Sequence, residues 1–134
     1  MHVLSDLDWK ALQPFGAEVL GLDICRASAS ELIQLKQLLA WHGVVVLRGA
    51  NRANADGCES NGVQLAGNAD QTFVDFLKRL GPLTFTVGET PVASEPMLNV
   101  VSNVGRTTPP KSVFHTYTSY VRQPPAYTAL RPVM

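Results

Sequence analysis

The sequence predicts an α+β fold in which two helices pack against short strands, and three patterns support this prediction. Leucines recur at helical spacing between Ser28 and Gly43, which is typical of an amphipathic helix. The apolar residues at 44–47 follow directly and predict a strand that is buried on both faces. A second helical pattern covers residues 71–80, with Asp70 as its N-cap.

Length and charge place limits on the class of protein. The chain has 134 residues, 46% of them hydrophobic, with eleven basic and eleven acidic side chains. This length favours a single domain over residues 1–134, and the balanced charge argues against nucleic acid as a partner. The short apolar runs and the polar N-terminus predict neither a membrane span nor a secretory leader. Because Cys25 and Cys58 lie far apart, we expect reduced thiols and a cytoplasmic location.

The first helix has the clearest sequence signals. Ser28 and Glu31 have the spacing of a capping box, and Gly43 marks the end of the helix. Its predicted apolar positions are Leu32, Leu35, Leu38, Leu39 and Trp41. His42 is interpreted as a C-terminal residue whose positive form suits the helix dipole. Both tryptophans, Trp9 and Trp41, are interpreted as core or rim aromatics.

The other elements are predicted from alternation, β-branched runs and turn residues. Strands are expected at 17–21, 83–87, 97–104 and 127–130. The second helix should present Phe73, Phe76, Leu77 and Leu80 on one face, with Lys78 and Arg79 solvated. Residues 50–69 are rich in Asn and Gly and predict a flexible insertion loop.

The most distinctive chemistry lies near the C-terminus, at Phe114-His-Thr-Tyr-Thr-Ser-Tyr, followed by Pro124-Pro-Ala. Residues two apart on a strand point to the same side, so His115 and Tyr117 would share a face. Together with Phe15-Gly-Ala-Glu-Val-Leu-Gly-Leu-Asp, Trp41-His-Gly-Val-Val-Val-Leu-Arg-Gly, Phe76-Leu-Lys-Arg-Leu-Gly-Pro-Leu and Asn99-Val-Val-Ser-Asn-Val, this stretch resembles the taurine-dioxygenase-like (TauD/TfdA) branch of the Fe(II)/2-oxoglutarate-dependent dioxygenases.

This resemblance implies a double-stranded β-helix, the clavaminate synthase-like jelly roll, of which the chain would contain a truncated part with flanking N-terminal helices. The family holds Fe(II) with two histidines and one carboxylate, and His-X-Asp supplies two of these ligands. By resemblance, His115 is the first iron ligand and Tyr117 occupies the position of the lost aspartate. His2 and His42 do not match the distal histidine ligand.

The resemblance also implies that Asn103 and Tyr120 bind the substrate, which would be a small organic acid. Alternatively, Asn103 is a hydrogen-bonding residue at a strand end, and Tyr120 is a core aromatic. Arg122 and Arg131 lie too close to His115 in the sequence to match the arginine that binds 2-oxoglutarate. They are interpreted as solvated charges, as are Glu89 and Glu95.

The sequence is compatible with three functions. The first is a truncated or degenerate dioxygenase without catalysis of its own. The second is a non-catalytic binding module that retains the fold fragment, and the third is half of an active enzyme completed by another chain. Exposed sheet edges would favour a homo-oligomer or a complementing chain in each case.

Overall fold

The computed structural model describes residues 6–50, 59–60, 63–64, 69–84, 91–102, 104–105, 107–108 and 120–132. The chain divides into two compact units, Met1–Pro82 and Leu83–Met134. The elements of the described part are β1 (Asp8–Ala11), β2 (Ala17–Leu20), α1 (Ala29–His42), β3 (Val45–Arg48), β4 (Glu59–Ser60), β5 (Val63–Gln64), α2 (Ala69–Leu80), β6 (Pro91–Val92) and β7 (Glu95–Asn99).

A mixed three-stranded sheet in the order β1-β2-β3 organises the first unit. β1 pairs antiparallel with β2, and β2 pairs parallel with β3 in a register that places Ala17 opposite Val45. Parallel neighbours need a crossover connection, and α1 provides it here. The predicted strand at 17–21 is confirmed as β2, whereas the sequence did not predict β1.

Position in the sheet decides which strand is buried. The prediction that the apolar run at 44–47 is buried on both faces is wrong, because residues 45–47 are only half-buried. β2 lies between two neighbours, and its residues Ala17, Glu18 and Val19 are buried. β3 has a neighbour on one side only among the described residues, so its greater hydrophobicity does not make it the central strand.

The predicted ends of α1 are confirmed. Ser28 Oγ accepts a hydrogen bond from the Glu31 backbone N–H at 3.1 Å, and the Ser28 N–H donates to Glu31 Oε2 at 2.6 Å, which completes the capping box. Gly43 follows the helix with φ of 74°, a left-handed conformation that favours glycine. Trp41 was interpreted as a core or rim aromatic, and the core alternative is wrong because the residue is 74% exposed.

The core of the first unit lies between the sheet and the helices. Its buried members are Leu7, Val19, Leu22, Ile24, Ala27, Leu32, Leu35, Leu38 and Phe76. Arg79 donates a hydrogen bond to the Ala27 carbonyl and so connects the end of α2 to the turn before α1. Lys78 and Arg79 are both exposed residues of the last turn, as predicted, and Lys78 pairs with Asp75 across 3.4 Å.

The second helix begins earlier than predicted. It starts at Ala69, so Asp70 lies in its first turn and is not the N-cap. Phe76 is buried as predicted, but the most buried residue is Val74, which is fully inaccessible. The other predicted face residues, Phe73, Leu77 and Leu80, are half-buried.

Cys25 is disulfide-bonded, so the expectation of reduced thiols is wrong. The sequence contains one other cysteine, Cys58, which lies outside the described residues. Disulfides persist mainly in oxidising compartments, so the cysteines no longer support a cytoplasmic location. No helix among the described residues is long and apolar enough to cross a membrane.

The predicted insertion loop contains regular structure at one point. Within residues 50–69, β4 and β5 pair antiparallel, and the segments 51–58, 61–62 and 65–68 lie outside the described residues. The prediction of a flexible insertion there stays a prediction.

Among its described residues, the second unit has one antiparallel pair of strands, β6 with β7. The strand predicted at 97–104 begins earlier and is shorter, because β7 runs from Glu95 to Asn99. Residues 83–84 and 127–130 form no strand, and residues 85–87 lie outside the described part. The described sheets are small and do not display a jelly roll.

Candidate functional site

Three of the four predicted site residues lie outside the part of the chain that the structure describes. They are His115, predicted to bind iron, Tyr117, predicted at the position of the lost aspartate, and Asn103, predicted to bind substrate, and these roles stay predictions. Tyr120 is described, and its side chain is 77% exposed, so the alternative of a core aromatic is wrong. Within the described ranges, no group of three or more His, Cys, Asp or Glu side chains could hold a metal ion.

A cluster of one carboxylate and two cations connects the three strands of the first sheet. Glu18 on β2 lies opposite Lys10 on β1, and Lys10 Nζ is 2.8 Å from Glu18 Oε2. Arg48 at the end of β3 donates from Nε to Glu18 Oε1 at 2.7 Å. Each carboxylate oxygen of Glu18 thus has a cationic partner on a different neighbouring strand.

The electrostatics of this cluster favour the ionised carboxylate. The hydrogen bond from Lys10, followed by that from Arg48, holds the pKa of Glu18 below its ordinary value of 4.5. A carboxylate with a lowered pKa and both oxygens paired is a poor proton donor or acceptor at neutral pH. We therefore interpret the cluster as a connection between three strands. The only sequence signal for it is a glutamate within an otherwise apolar strand.

His42 was predicted from the sequence to be a C-terminal residue of the first helix. It is the last residue of α1, as predicted, and it is half-buried. Its ring lies 5.4 Å from that of Trp9, centroid to centroid, with the planes tilted by 59°. This contact ties the helix end to β1 and supports a structural role for His42.

The remaining charged candidates divide according to exposure. Arg122 is exposed, as expected for a solvated charge. Arg131 is half-buried and makes an interaction of its own, so the expectation of a free, solvated arginine is wrong there. Glu95 is also half-buried, at the start of β7, while Glu89 lies outside the described residues.

A comparison with known protein families identifies the family of the chain. Residues 8–133 match the family described as taurine catabolism dioxygenase TauD, TfdA family. The chain belongs to the TauD/TfdA family. The match covers most of the 134 residues and confirms the family predicted from the ordered segments. A search of curated proteins and a search of solved structures found no match.

Membership of the TauD/TfdA family supports an oxidoreductase of the dioxygenase type, with Fe(II) and 2-oxoglutarate as the family's cofactors. The resemblance predicted His115 and Tyr117 at the His-X-Asp position of the family. A phenol at that position differs from the carboxylate that the family uses to bind iron.

Proposed function

We propose that this chain is a degenerate TauD/TfdA member that does not assemble an Fe(II)/2-oxoglutarate centre on its own. The observation that carries the proposal is Tyr117, which stands where the His-X-Asp ligand pair requires a carboxylate. The family match over residues 8–133 supports the comparison of His115 and Tyr117 with that pair.

The physical argument concerns charge and reach. A carboxylate is anionic at neutral pH and offsets part of the Fe(II) charge, whereas a phenol with an unperturbed pKa of about 10 stays neutral. The phenol oxygen also extends beyond the position of an aspartate oxygen. Phenolate does bind iron at the haem of catalase, but there the porphyrin supplies the other ligands.

A second argument concerns the histidines that are present in the sequence. The sequence contains three histidines, of which His115 is the last. His42 contacts Trp9 at the end of α1, so its ring already has a structural role. We therefore assign His115, and not His42, as an iron ligand of the family type.

Anaerobic titration with Fe(II) and 2-oxoglutarate tests the proposal. We expect no absorption band of the Fe(II)/2-oxoglutarate chelate with the unchanged protein. Tyr117→Asp should raise the affinity for Fe(II) about tenfold, a gain of ~1.4 kcal/mol, because it restores a carboxylate two residues from His115. Tyr120→Asp is the matched control, since it makes the same chemical change at a side chain that is 77% exposed.

Two results would overturn the proposal. The first is a chelate band with the unchanged protein alone. The second is an equal increase in Fe(II) affinity in both aspartate variants, which would mean that any added carboxylate suffices.

A second candidate is an enzyme half that another polypeptide completes, and exposed apolar residues in the second unit favour it. Val100, Val101, Val104 and Leu130 are 56%, 82%, 90% and 78% exposed. Apolar surface of this kind is often covered by a partner. The substrate would then be a small organic acid, with Asn103 and Tyr120 as the predicted contacts.

A mixing experiment separates the two candidates. A C-terminal fragment of a TauD/TfdA dioxygenase, carrying the distal histidine and arginine, is added to the unchanged protein and to Tyr117→Asp. A chelate band only with Tyr117→Asp supports a degenerate family member. A band with the unchanged protein favours the completed enzyme.

A further inference from the structure

The disulfide-bonded Cys25 lies in the turn that leads from β2 to α1. Local hydrogen bonds hold this turn, since the Cys25 backbone N–H donates to Asp23 Oδ1 at 2.9 Å and the Arg26 N–H donates to the Asp23 carbonyl at 3.1 Å. The sequence contains two cysteines, and the other is Cys58, directly before β4. Within this chain, the second sulfur of the bond can therefore come from Cys58 only.

The sequence positions of the two cysteines determine what the bond constrains. Residues 25–58 include the whole of α1 and β3, so the bond closes a loop of about 30 residues around the crossover of the first sheet. A cross-link of this kind removes conformational freedom from the unfolded chain and so stabilises the folded state. Loss of the bond should therefore lower the stability of the first unit.

The core of the first unit is built without the bond. The buried cluster contains Ile24 and Ala27, on either side of Cys25 in the sequence, but not Cys25 itself. α1 has its own capping box at Ser28, and the crossover joins two strands that are paired in the sheet. Because none of these contacts involves a cysteine sulfur, we expect the reduced chain to keep them.

The exposure of the turn makes the bond accessible to small thiols. Cys25 is only half-buried, and the neighbouring Arg26 is exposed. Thiol–disulfide exchange requires a thiolate to reach one of the two sulfur atoms, so accessible disulfides are reduced more readily than those enclosed in a core. The position of Cys25 therefore favours a bond that opens and closes while the unit stays folded.

We propose that Cys25 and Cys58 form a redox-sensitive bond that sets the stability of the first unit without deciding its fold. Low-molecular-weight thiols reduce the bond in two exchange steps. The thiolate of the first attacks one sulfur, breaks the S–S bond and releases the other cysteine as a thiolate. A second small thiol then attacks the mixed disulfide and releases the remaining cysteine. The two small thiols become one disulfide, and their protons pass to the two cysteine thiolates.

Urea denaturation of the full chain, with and without dithiothreitol, tests the effect on stability. The reduced protein should keep its helical circular dichroism and unfold at a midpoint about 2 M lower, because the unfolded chain is no longer cross-linked. Cys25→Ser and Cys58→Ser should each unfold at the lower midpoint and should not respond to the reductant. In dithiothreitol neither Cys25→Ser nor the unchanged protein has the bond, so their comparison isolates the effect of the serine itself.

Alkylation of the folded protein in glutathione buffers, followed by mass spectrometry, tests the redox sensitivity. Both cysteines should become alkylated together as the reduced fraction of glutathione rises, while the circular dichroism stays unchanged. A bond that opens only in urea, equal midpoints in the two states, or loss of the helical signal on reduction would each overturn the proposal. So would a cross-linked dimer in non-reducing electrophoresis, because the partner of Cys25 would then lie on another chain.

Discussion

Leu38 and Trp41 lie on the same helix and differ in burial, so their alanine variants should differ in stability. The sequence assigned both to the apolar positions of α1. In the structure, Leu38 is 3% exposed and Trp41 is 74% exposed. We expect Leu38→Ala to lower the free energy of unfolding of the first unit much more than Trp41→Ala does.

The magnitudes follow from the buried surface. Leu→Ala in a packed core costs about 3 kcal/mol, because transfer free energy is lost and a cavity remains. About a quarter of the Trp41 side chain is buried, or ~50 Å², which corresponds to ~1.2 kcal/mol. Alanine recovers ~0.5 kcal/mol through its higher helix propensity, so the net cost of Trp41→Ala is below ~1 kcal/mol.

Urea denaturation followed by circular dichroism measures this difference. With an m-value of ~1.5 kcal/mol/M, Leu38→Ala should lower the midpoint by about 2 M and Trp41→Ala by less than about 0.7 M. Equal shifts, or a larger one for Trp41→Ala, would refute the burial argument.

Two further outcomes follow from the hydrogen bonds of the first unit. Ser28→Ala should destabilise it by about 1 kcal/mol through loss of the capping box, whereas Ser30→Ala, at an exposed site in the first turn, should change it by less than ~0.5 kcal/mol in the same urea assay. Glu18 has a pKa below 4.5 in the folded protein, so its stabilising contribution is present above that value and is lost as the pH falls through the folded pKa. Glu18→Gln should therefore be less stable than the unchanged protein at pH ~7, and the difference should disappear as the pH falls below the folded pKa of Glu18; a difference that persists in acid would show that the ion pairs are not its source.

The family was accessible from the sequence because its signals are local and ordered. His115 and Tyr117 are two residues apart, so their comparison with a ligand pair needs only the period of a strand. The Glu18 cluster was not accessible in this way. Its three members come from three strands, and a shift of one residue in either register would move Lys10 or Arg48 to the other face of the sheet.

Two features of α2 were not predicted because they also depend on tertiary contacts. The apolar pattern of α2 includes Phe73, yet Val74 is the fully buried residue, because the direction from which the core approaches the helix is not encoded in its periodicity. Arg79 is an exposed residue of the last turn, as predicted, but its hydrogen bond was not predicted. Its partner is the Ala27 carbonyl, which is distant in sequence and reaches it only when α2 packs beside the turn before α1.

The sequence by itself determined the two ends of α1, the position of β2 and the TauD/TfdA family. The capping box, the glycine after the helix and the alternation of β2 are signals between neighbouring residues, so they can be recognised without knowledge of the tertiary contacts. Only the tertiary structure decided that β2 is the buried central strand, that Cys25 is disulfide-bonded and that Trp41 is exposed. Those properties depend on which segments become neighbours in space.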